Sequence, residues 1–410
     1  MLPPEPAKVE LNLWIEGQAP WPRRREPITI GIPWPRGLLK DEASLLLLDP
    51  AGQPVPLQVG TLEKWPDGSR RWTLLDWQAS IAAAGAYRLR VAEPARLPAD
   101  ALQLSQQESS ISIDTGAARF EVKPGSFPFA RASVAGREVA AKFGLRAAGK
   151  DQPVHIERAR LEESGPLRAA VSLEGTVGST TPLLNLRARL EFFAGSATVR
   201  VALTLHNPRR AQHPGGIWQL GDPGSVFIES AAFTVGLPGV TGPAHYRLSP
   251  EPDAPWLATS GPIGLLQASS GGANWRSPNH RDRSGQVPLP FRGYRLQIEG
   301  ETKEGLRATP ILACAQEGQQ VALAMPYFWQ NFPKALSAND GQVTLALFPF
   351  QEGSPHELQG GEQKTHVCYA AFGKDEVTDE PLDWCRAPLF ARAQPDWYCG
   401  SGAVACLLPR

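Results

Sequence analysis

The stretch 271–295 of this 410-residue chain, GGANWRSPNHRDRSGQVPLPFRGYR, carries side chains suited to acid–base chemistry. A histidine side chain such as that of His280 can take a proton from carbon when a nearby cation stabilises the developing anion. An arginine such as Arg292 can bind a carboxylate through its forked guanidinium. We therefore predict His280 as a general base and Arg292 as a carboxylate partner. The alternative for His280, a solvated side chain in a polar loop, is the commoner situation.

The alternating residues after this loop predict a strand over 292–299. Alternation would put Arg292 and Tyr294 on one face of that strand and Arg295 on the other. At most one of the two arginines is then expected to reach a ligand directly.

Aromatic and amide side chains near these residues suit sugar binding. We predict Trp275 and Trp329 as flat platforms for sugar rings, because the indole face is apolar and its N–H is polar. Gln330 and Asn331 are predicted to hydrogen-bond sugar hydroxyls, and Asn279 and Tyr294 are predicted as further substrate-binding residues. The alternative is an inter-sheet core capped by amides, which we favour for Phe328 and Phe332.

Familiar catalytic and metal-binding signatures are missing from the sequence. There is no GxSxG elbow, phosphate loop, HExxH helix or EF-hand loop. The loop 218–225 contains one carboxylate, Asp222, which favours a structural turn over a calcium site. The five cysteines show no CxxC pair and no zinc spacing, so we predict no metal and no cofactor. A disulfide among the four cysteines of residues 368–406 remains open.

Charge and composition limit the class of partner and the fold. Lys and Arg together number 41 and Asp and Glu 41, so no net charge favours nucleic acid or an anionic membrane. Forty prolines and 39 glycines disfavour long helices and favour turns and short strands. A polysaccharide or oligosaccharide is the expected partner, with no nucleic acid and no membrane.

Strand and turn patterns divide the chain into two β-rich units. Short strands and the Asp67-Gly68 hairpin turn predict a small all-β unit over residues 1–95, a barrel or a sandwich, and we favour a β-barrel. A Pro- and Gln-rich linker over 94–108 leads into longer alternating strands, with a hairpin over 184–205 whose second face carries Arg187, Arg189 and Glu191. These predict a large antiparallel β-sandwich over 108–375, then an irregular tail over 376–410. The fold class is all-β.

Several stretches together resemble the exo-rhamnogalacturonan lyase-like family. They are GIPWPRG at 31–37, DGSRRW at 67–72, GDPGS at 221–225, NWRSPNH at 274–280, FRGY at 291–294 and FWQNFP at 328–333. The resemblance implies a RIFT-type β-barrel, a large β-sandwich and then a helical (α/α) toroid. The stretch PDWYCGSG at 395–402 is similar to the entry into that toroid, which the 410 residues do not include.

The resemblance implies the β-rich part of a pectin (rhamnogalacturonan) polysaccharide lyase that acts by β-elimination. A non-catalytic glycan-binding or scaffold protein is the alternative, and a glycoside hydrolase with two carboxylates is a third hypothesis. A helical partner domain or subunit would complete the family's arrangement. The N-terminal residues lack the regions of a secretory signal. We expect a secreted or periplasmic protein whose signal peptide is absent from this numbering, with a cytoplasmic protein as the alternative.

Overall fold

The computed structural model describes residues 10–17, 22–81, 85–216 and 220–407. These residues are mostly β-strand, which confirms the predicted all-β fold. Among them, no helix is long and apolar enough to cross a membrane. Trp218, in the loop predicted as a structural turn, lies outside the described residues. The buried Asp222 of that loop accepts backbone N–H groups from Gln212, His213 and Gly224 at 2.9, 2.6 and 2.7 Å.

The N-terminal unit is a barrel built from two small sheets. Its strands are β1 (Glu10–Glu16), β2 (Arg23–Pro33), β3 (Leu45–Leu48), β4 (Pro54–Val55), β5 (Gln58–Lys64), β6 (Arg70–Ile81) and β7 (Ala86–Val91). One sheet has the order β2-β6-β5, and β1, β7, β3 and β4 lie side by side in the other. Trp34 and Trp77 are buried between them, and Trp34 Nε1 donates to Thr73 Oγ1 at 2.8 Å. Gly68 has a φ of 84°, as a turn at Asp67-Gly68 requires.

The second unit consists of two large antiparallel sheets packed face to face. Its strands are β8 (Gln103–Gln107), β9 (Ser110–Asp114), β10 (Arg119–Val122), β11 (Arg131–Val134), β12 (Arg137–Ala147), β13 (Lys150–Gln152), β14 (Val154–Ser164), β15 (Arg168–Val177), β16 (Leu184–Phe193), β17 (Thr198–His206), β18 (Val226–Gly236), β19 (His245–Ser249), β20 (Leu257–Thr259), β21 (Ile263–Gln267), β22 (Tyr294–Ile298), β23 (Glu301–Gly305), β24 (Ile311–Gln316), β25 (Gln319–Ala324), β26 (Lys334–Asn339), β27 (Gln342–Phe348), β28 (His356–Leu358) and β29 (Gln363–Ala371).

One sandwich sheet has the order β23-β22-β21-β26-β27-β18-β12-β11-β10-β9-β8, and the other β14-β15-β16-β17-β29-β25-β24-β19-β20. The predicted hairpin is β16 and β17, paired so that Leu186 lies opposite Leu205. Its alternating apolar residues are buried in the core between the sheets. The opposite face of this hairpin therefore carries the charged side chains.

The C-terminal residues pack against the barrel. Strand β30 (Phe390–Ala393) pairs antiparallel with β1, and helix α1 (Pro395–Gly400) follows it. The Trp397 ring meets Trp34 edge-on at 5.6 Å, and its Nε1 donates to the Pro33 carbonyl at 2.7 Å. Residues predicted as an irregular tail thus contribute a strand to the barrel.

Two further local differences from the predicted strands have clear physical causes. The strand expected over 292–299 begins at Tyr294, because Gly293 has a φ of 77° and its backbone lies against Gly305 and Leu306. Arg292 is therefore exposed before the strand while Tyr294 is buried within it, and they do not share a face. The segment predicted as a linker contains β8, which pairs with β9.

Candidate functional site

A cavity of about 400 Å³ lies beside the loop that contains His280. The loop turns into a short 3-10 helix, Pro278–His280, with Pro278 at its first position and Ser277 capping its first turn. From this turn, His280, Arg281 and Arg283 line the cavity. Three basic side chains that are close together in the sequence therefore line this cavity.

The His280 imidazole is positioned by an aromatic ring. It meets Phe332 edge-on, with ring centroids 5.3 Å apart, and the histidine is half-buried. Within the described residues, neither ring nitrogen of His280 hydrogen-bonds to another group. The imidazole is thus held in place with its nitrogens free to bind a ligand or take a proton.

The arginines beside His280 differ in their partners. The Arg283 guanidinium lies 4.4 Å from the Phe227 ring centroid. No ion pair joins Arg281 to a carboxylate anywhere in the described part of the chain, and Arg281 is exposed. Arg281 is therefore the cation of this cavity most able to bind a ligand carboxylate.

Both carboxylates that line the cavity are already engaged by the protein. Glu357 accepts the Gly221 N–H at 2.8 and 2.9 Å and the Ser225 hydroxyl at 2.6 Å. Asp282 accepts backbone N–H groups from Ser284 and Gln286 at 2.8 and 3.0 Å. These groups shape the loops, and the basic side chains set the electrostatic character of the cavity.

The predicted platform over 328–333 is divided between core and cavity. Phe328 is fully buried in the sandwich core, as expected. Phe332, also predicted as core, instead lines the cavity with Pro333. Trp329 begins a 3-10 helix, Trp329–Asn331, and the Arg307 guanidinium lies 4.5 Å from its ring centroid.

The amides of this helix have different surroundings. Gln330 is exposed. The Asn331 amide donates to the Tyr327 carbonyl at 2.9 Å and accepts from Lys364 Nζ at 3.0 Å. Asn331 thus holds the turn that leads to Phe332.

Apart from His280, none of the predicted site residues lines this cavity. The half-buried Trp275 has the Arg276 guanidinium 4.7 Å from its ring centroid, and Asn279 is exposed. Arg292 Nε donates to the Gly271 carbonyl at 2.9 Å. Tyr294 is buried and its hydroxyl donates to Glu251 at 2.8 Å. The structure therefore brings His280 to a cavity without Trp275, Arg292 or Tyr294, whose ligand-binding roles stay predictions.

A basic cluster, Lys334, His356, Lys364 and His366, adjoins the cavity. His356 lines the cavity and its Nε2 lies 2.7 Å from the Pro349 carbonyl oxygen. Lys334 is buried, and its Nζ donates to the carbonyls of Asn331 and Pro333 at 2.7 and 3.0 Å. Burial, and then the Lys364 charge, lowers the pKa of Lys334 to about 7. Burial also lowers the pKa of His366, to about 2.

Because Lys334 is buried, we expect the stability of the folded protein to depend on pH. Its pKa is lower in the folded than in the unfolded chain, so above pH 7 the unfolded state binds more protons, and this contribution to stability rises with pH. We expect Lys334→Met to stabilise the protein at pH 7, with an advantage over the wild type that shrinks by pH 9. Chemical denaturation of both proteins at each pH measures this. Lys374→Met, at an exposed site, is the matched control; an advantage that is constant from pH 7 to 9 would contradict the assignment.

In its described parts the chain shows no group of three or more His, Cys, Asp or Glu side chains placed to hold a metal ion. All five cysteines are free thiols, with Cys314, Cys368 and Cys385 buried. Histidine, arginine and aromatic side chains line the His280 cavity.

An all-β chain with an N-terminal barrel of this kind has known counterparts. Residues 7–92 match the family described as the PcRGLX-like N-terminal RIFT barrel domain. The predicted resemblance is thereby confirmed over the barrel. The match also agrees with the coarse prediction of a carbohydrate-active protein family.

Similarity over more of the chain is found with an uncharacterised protein, YetA of Bacillus subtilis (strain 168). The two are 24% identical over 424 residues, which cover 90% of this chain and 47% of YetA. This chain therefore spans about half the length of the curated relative that it matches.

The comparison with solved structures finds similar chains at low sequence identity. A protein in the glycosyl hydrolase family 38 from Enterococcus faecalis is 10% identical with a TM-score of 0.49, covering 96% of this chain and 46% of that one. An alpha-mannosidase from Enterococcus faecalis V583 is 10% identical with a TM-score of 0.43, covering 94% and 46%. Similarity to solved structures at 10% sequence identity assigns no activity to this chain.

Proposed function

We propose that this chain is the β-rich part of a pectin-directed polysaccharide lyase, which acts on rhamnogalacturonan by β-elimination at the His280 cavity. The observation that carries the proposal is the cavity itself. It combines a half-buried imidazole with free ring nitrogens and, next to it, the unpaired guanidinium of Arg281 within the described residues. Base and cation are the two groups that this elimination needs.

The proposed reaction assigns one role to each group. Arg281 binds the carboxylate of a uronate residue and stabilises the negative charge that develops there. His280 removes the proton from the carbon next to that carboxylate. The electron pair forms a carbon–carbon double bond, and the bond to the glycosidic oxygen breaks. That oxygen leaves with the neighbouring sugar and takes up a proton, so the products are an unsaturated uronate and a new sugar hydroxyl.

Aromatic and apolar groups that line the same cavity support a sugar as ligand. The Phe332 ring contacts the His280 ring, and Pro333, Phe227 and Leu220 also line the cavity. Apolar surfaces beside hydrogen-bonding groups suit the two kinds of face on a pyranose ring. Trp329 and Gln330, on the helix just before Phe332, would extend that surface.

The experiment that tests the proposal uses rhamnogalacturonan I as substrate. The ultraviolet absorbance of an unsaturated uronate should rise with time when the purified protein is added. Binding in calorimetry without that rise would favour the alternative, a non-catalytic glycan-binding or scaffold protein. New reducing ends without the absorbance would favour a hydrolase, and neither binding nor products would contradict a pectin-directed role.

Location and assembly follow from the same proposal. A polymeric pectic substrate would place the protein in a secreted or periplasmic compartment. A helical partner domain or subunit, which the family resemblance implies, would complete the wall around the bound chain.

A further inference from the structure

A second cavity, of about 470 Å³, lies where the barrel meets the sandwich. Thr29 on β2 and Leu74 on β6 line it from the barrel. Strands β14 to β17 and β29 line it from the sandwich, and Trp384 and Leu389 from the C-terminal segment. The junction cavity, as we call it, thus has walls from three parts of the fold.

Buried charges organise one wall of the junction cavity. Arg168, with a side chain only 6% exposed, donates from Nε to Asp76 Oδ1 at 2.6 Å and from Nη1 to Glu191 Oε1 at 3.3 Å. It also pairs with Glu163. One arginine of the sandwich is therefore fixed by three carboxylates, one of which belongs to the barrel.

The two other arginines of the cavity are held in the same way. Arg189 donates to Glu162 at 2.8 Å and to Glu163 at 2.6 Å, and it pairs with Glu191. Arg200 Nη1 donates to Glu191 Oε2 at 2.8 Å. Each guanidinium that lines the cavity is thus already neutralised by carboxylates of the protein.

Strand register places these groups in a row. Glu191 on β16 lies opposite Arg200 on β17, which lies opposite Tyr369 on β29. The Tyr369 and Trp384 rings meet at 5.0 Å and 69°, so an aromatic edge borders the charged row.

This arrangement selects a ligand by charge. A ligand carboxylate would have to displace Glu163 or Glu191 from an arginine, and a ligand cation would have to displace an arginine from its carboxylates. Either exchange breaks an ion pair in a network whose members Arg168 and Glu191 are buried. A neutral polyhydroxylated molecule can use the spare donors and acceptors of the paired groups without breaking a pair. The volume lies within the range of small-ligand cavities.

We propose that the junction cavity binds a neutral pyranose sugar. The fixed guanidinium and carboxylate groups on its sandwich wall hydrogen-bond the hydroxyls, and Tyr369, Trp384 and Leu74 contact the apolar ring face. This site is separate from the His280 cavity, and the inference does not depend on the proposed lyase activity.

Saturation-transfer NMR and calorimetry test the proposal with methyl glycosides of galactose, rhamnose, glucose, mannose and arabinose, and with galacturonate. At least one neutral glycoside should bind, at least tenfold more tightly than galacturonate at the same site. The variant Leu74→Trp fills the cavity and should weaken that binding at least tenfold. Leu62→Trp, at an exposed leucine of β5, is the matched control and should leave it within twofold.

A conservative variant keeps the test valid if Leu74→Trp fails to fold. Tyr369→Phe removes one hydroxyl and should weaken the neutral sugar severalfold while circular dichroism stays unchanged. His280→Ala should not alter this binding, which separates the junction cavity from the proposed lyase site. Binding of no neutral glycoside, preference for galacturonate, or binding unchanged in both Leu74→Trp and Tyr369→Phe would overturn the proposal.

Discussion

Replacing His280 by alanine should lower the rate of unsaturated-uronate formation by about 100- to 10,000-fold, the usual range for loss of a general base. The imidazole is half-buried against Phe332 and is not hydrogen-bonded within the described residues, so its removal takes away a proton acceptor without breaking a structural contact of comparable strength. The rate is measured as the absorbance increase on rhamnogalacturonan I, with the thermal midpoint recorded for both proteins.

Two further variants sharpen that result. His155→Ala, at an exposed histidine of β14, should keep the wild-type rate. Arg281→Ala should also reduce the rate and should raise KM, because it removes the cation proposed to bind the substrate carboxylate. Equal rates for the wild type and His280→Ala would show that another group is the base.

Replacing Arg168 by methionine should lower the free energy of unfolding by about 3 to 5 kcal/mol, the usual cost of removing one partner from a buried ion pair. Arg168 has a 6% exposed side chain and faces Asp76, Glu163 and Glu191. Without its charge, the Asp76 and Glu191 carboxylates stay buried with less compensation. Urea denaturation at pH 7 measures the difference.

The matched control for that variant is Arg158→Met. Arg158 lies on β14, has a 72% exposed side chain and pairs with Glu174 at the surface. Surface pairs of this kind contribute about 0 to 1 kcal/mol, so its loss should change stability little. A similar small change for Arg168→Met would mean that the network at the junction contributes no net stability.

The fold could be predicted from the sequence wherever local pattern decides structure. The hairpin of β16 and β17 follows from strict alternation, and its apolar face is buried as expected. The Asp67-Gly68 turn needs only a glycine with positive φ. Alternation could not show that the charged face of the same hairpin, which carries Arg189 and Glu191, lies under the barrel instead of in solvent.

Only the residues of the candidate site that lie close together in the sequence could be predicted. His280 stood out because a polar loop concentrates basic residues around it. His356 and Glu357 join the cavity through the pairing of β28 with β18, in which Leu358 lies opposite Val226, and a contact so distant in sequence leaves no local pattern. In the sequence, Lys334 looks like an ordinary strand residue, although its burial in the structure lowers its pKa.

The grouping of Arg292 with Tyr294 failed for a backbone reason. Alternation assumes an extended strand through both residues, but Gly293 turns the chain between them. The Tyr294 side chain is then buried in the core and its hydroxyl donates a hydrogen bond to Glu251, while Arg292 Nε donates to the Gly271 carbonyl. A single glycine with positive φ was thus enough to separate two predicted site residues.

The most direct measurement of the central claim is a crystal structure of the protein soaked with a rhamnogalacturonan oligosaccharide. A uronate residue should lie in the His280 cavity, with its carboxylate on Arg281 and the carbon next to that carboxylate facing the His280 imidazole. An oligosaccharide that binds only away from this cavity, with the cavity itself free of sugar at saturation, would contradict the account.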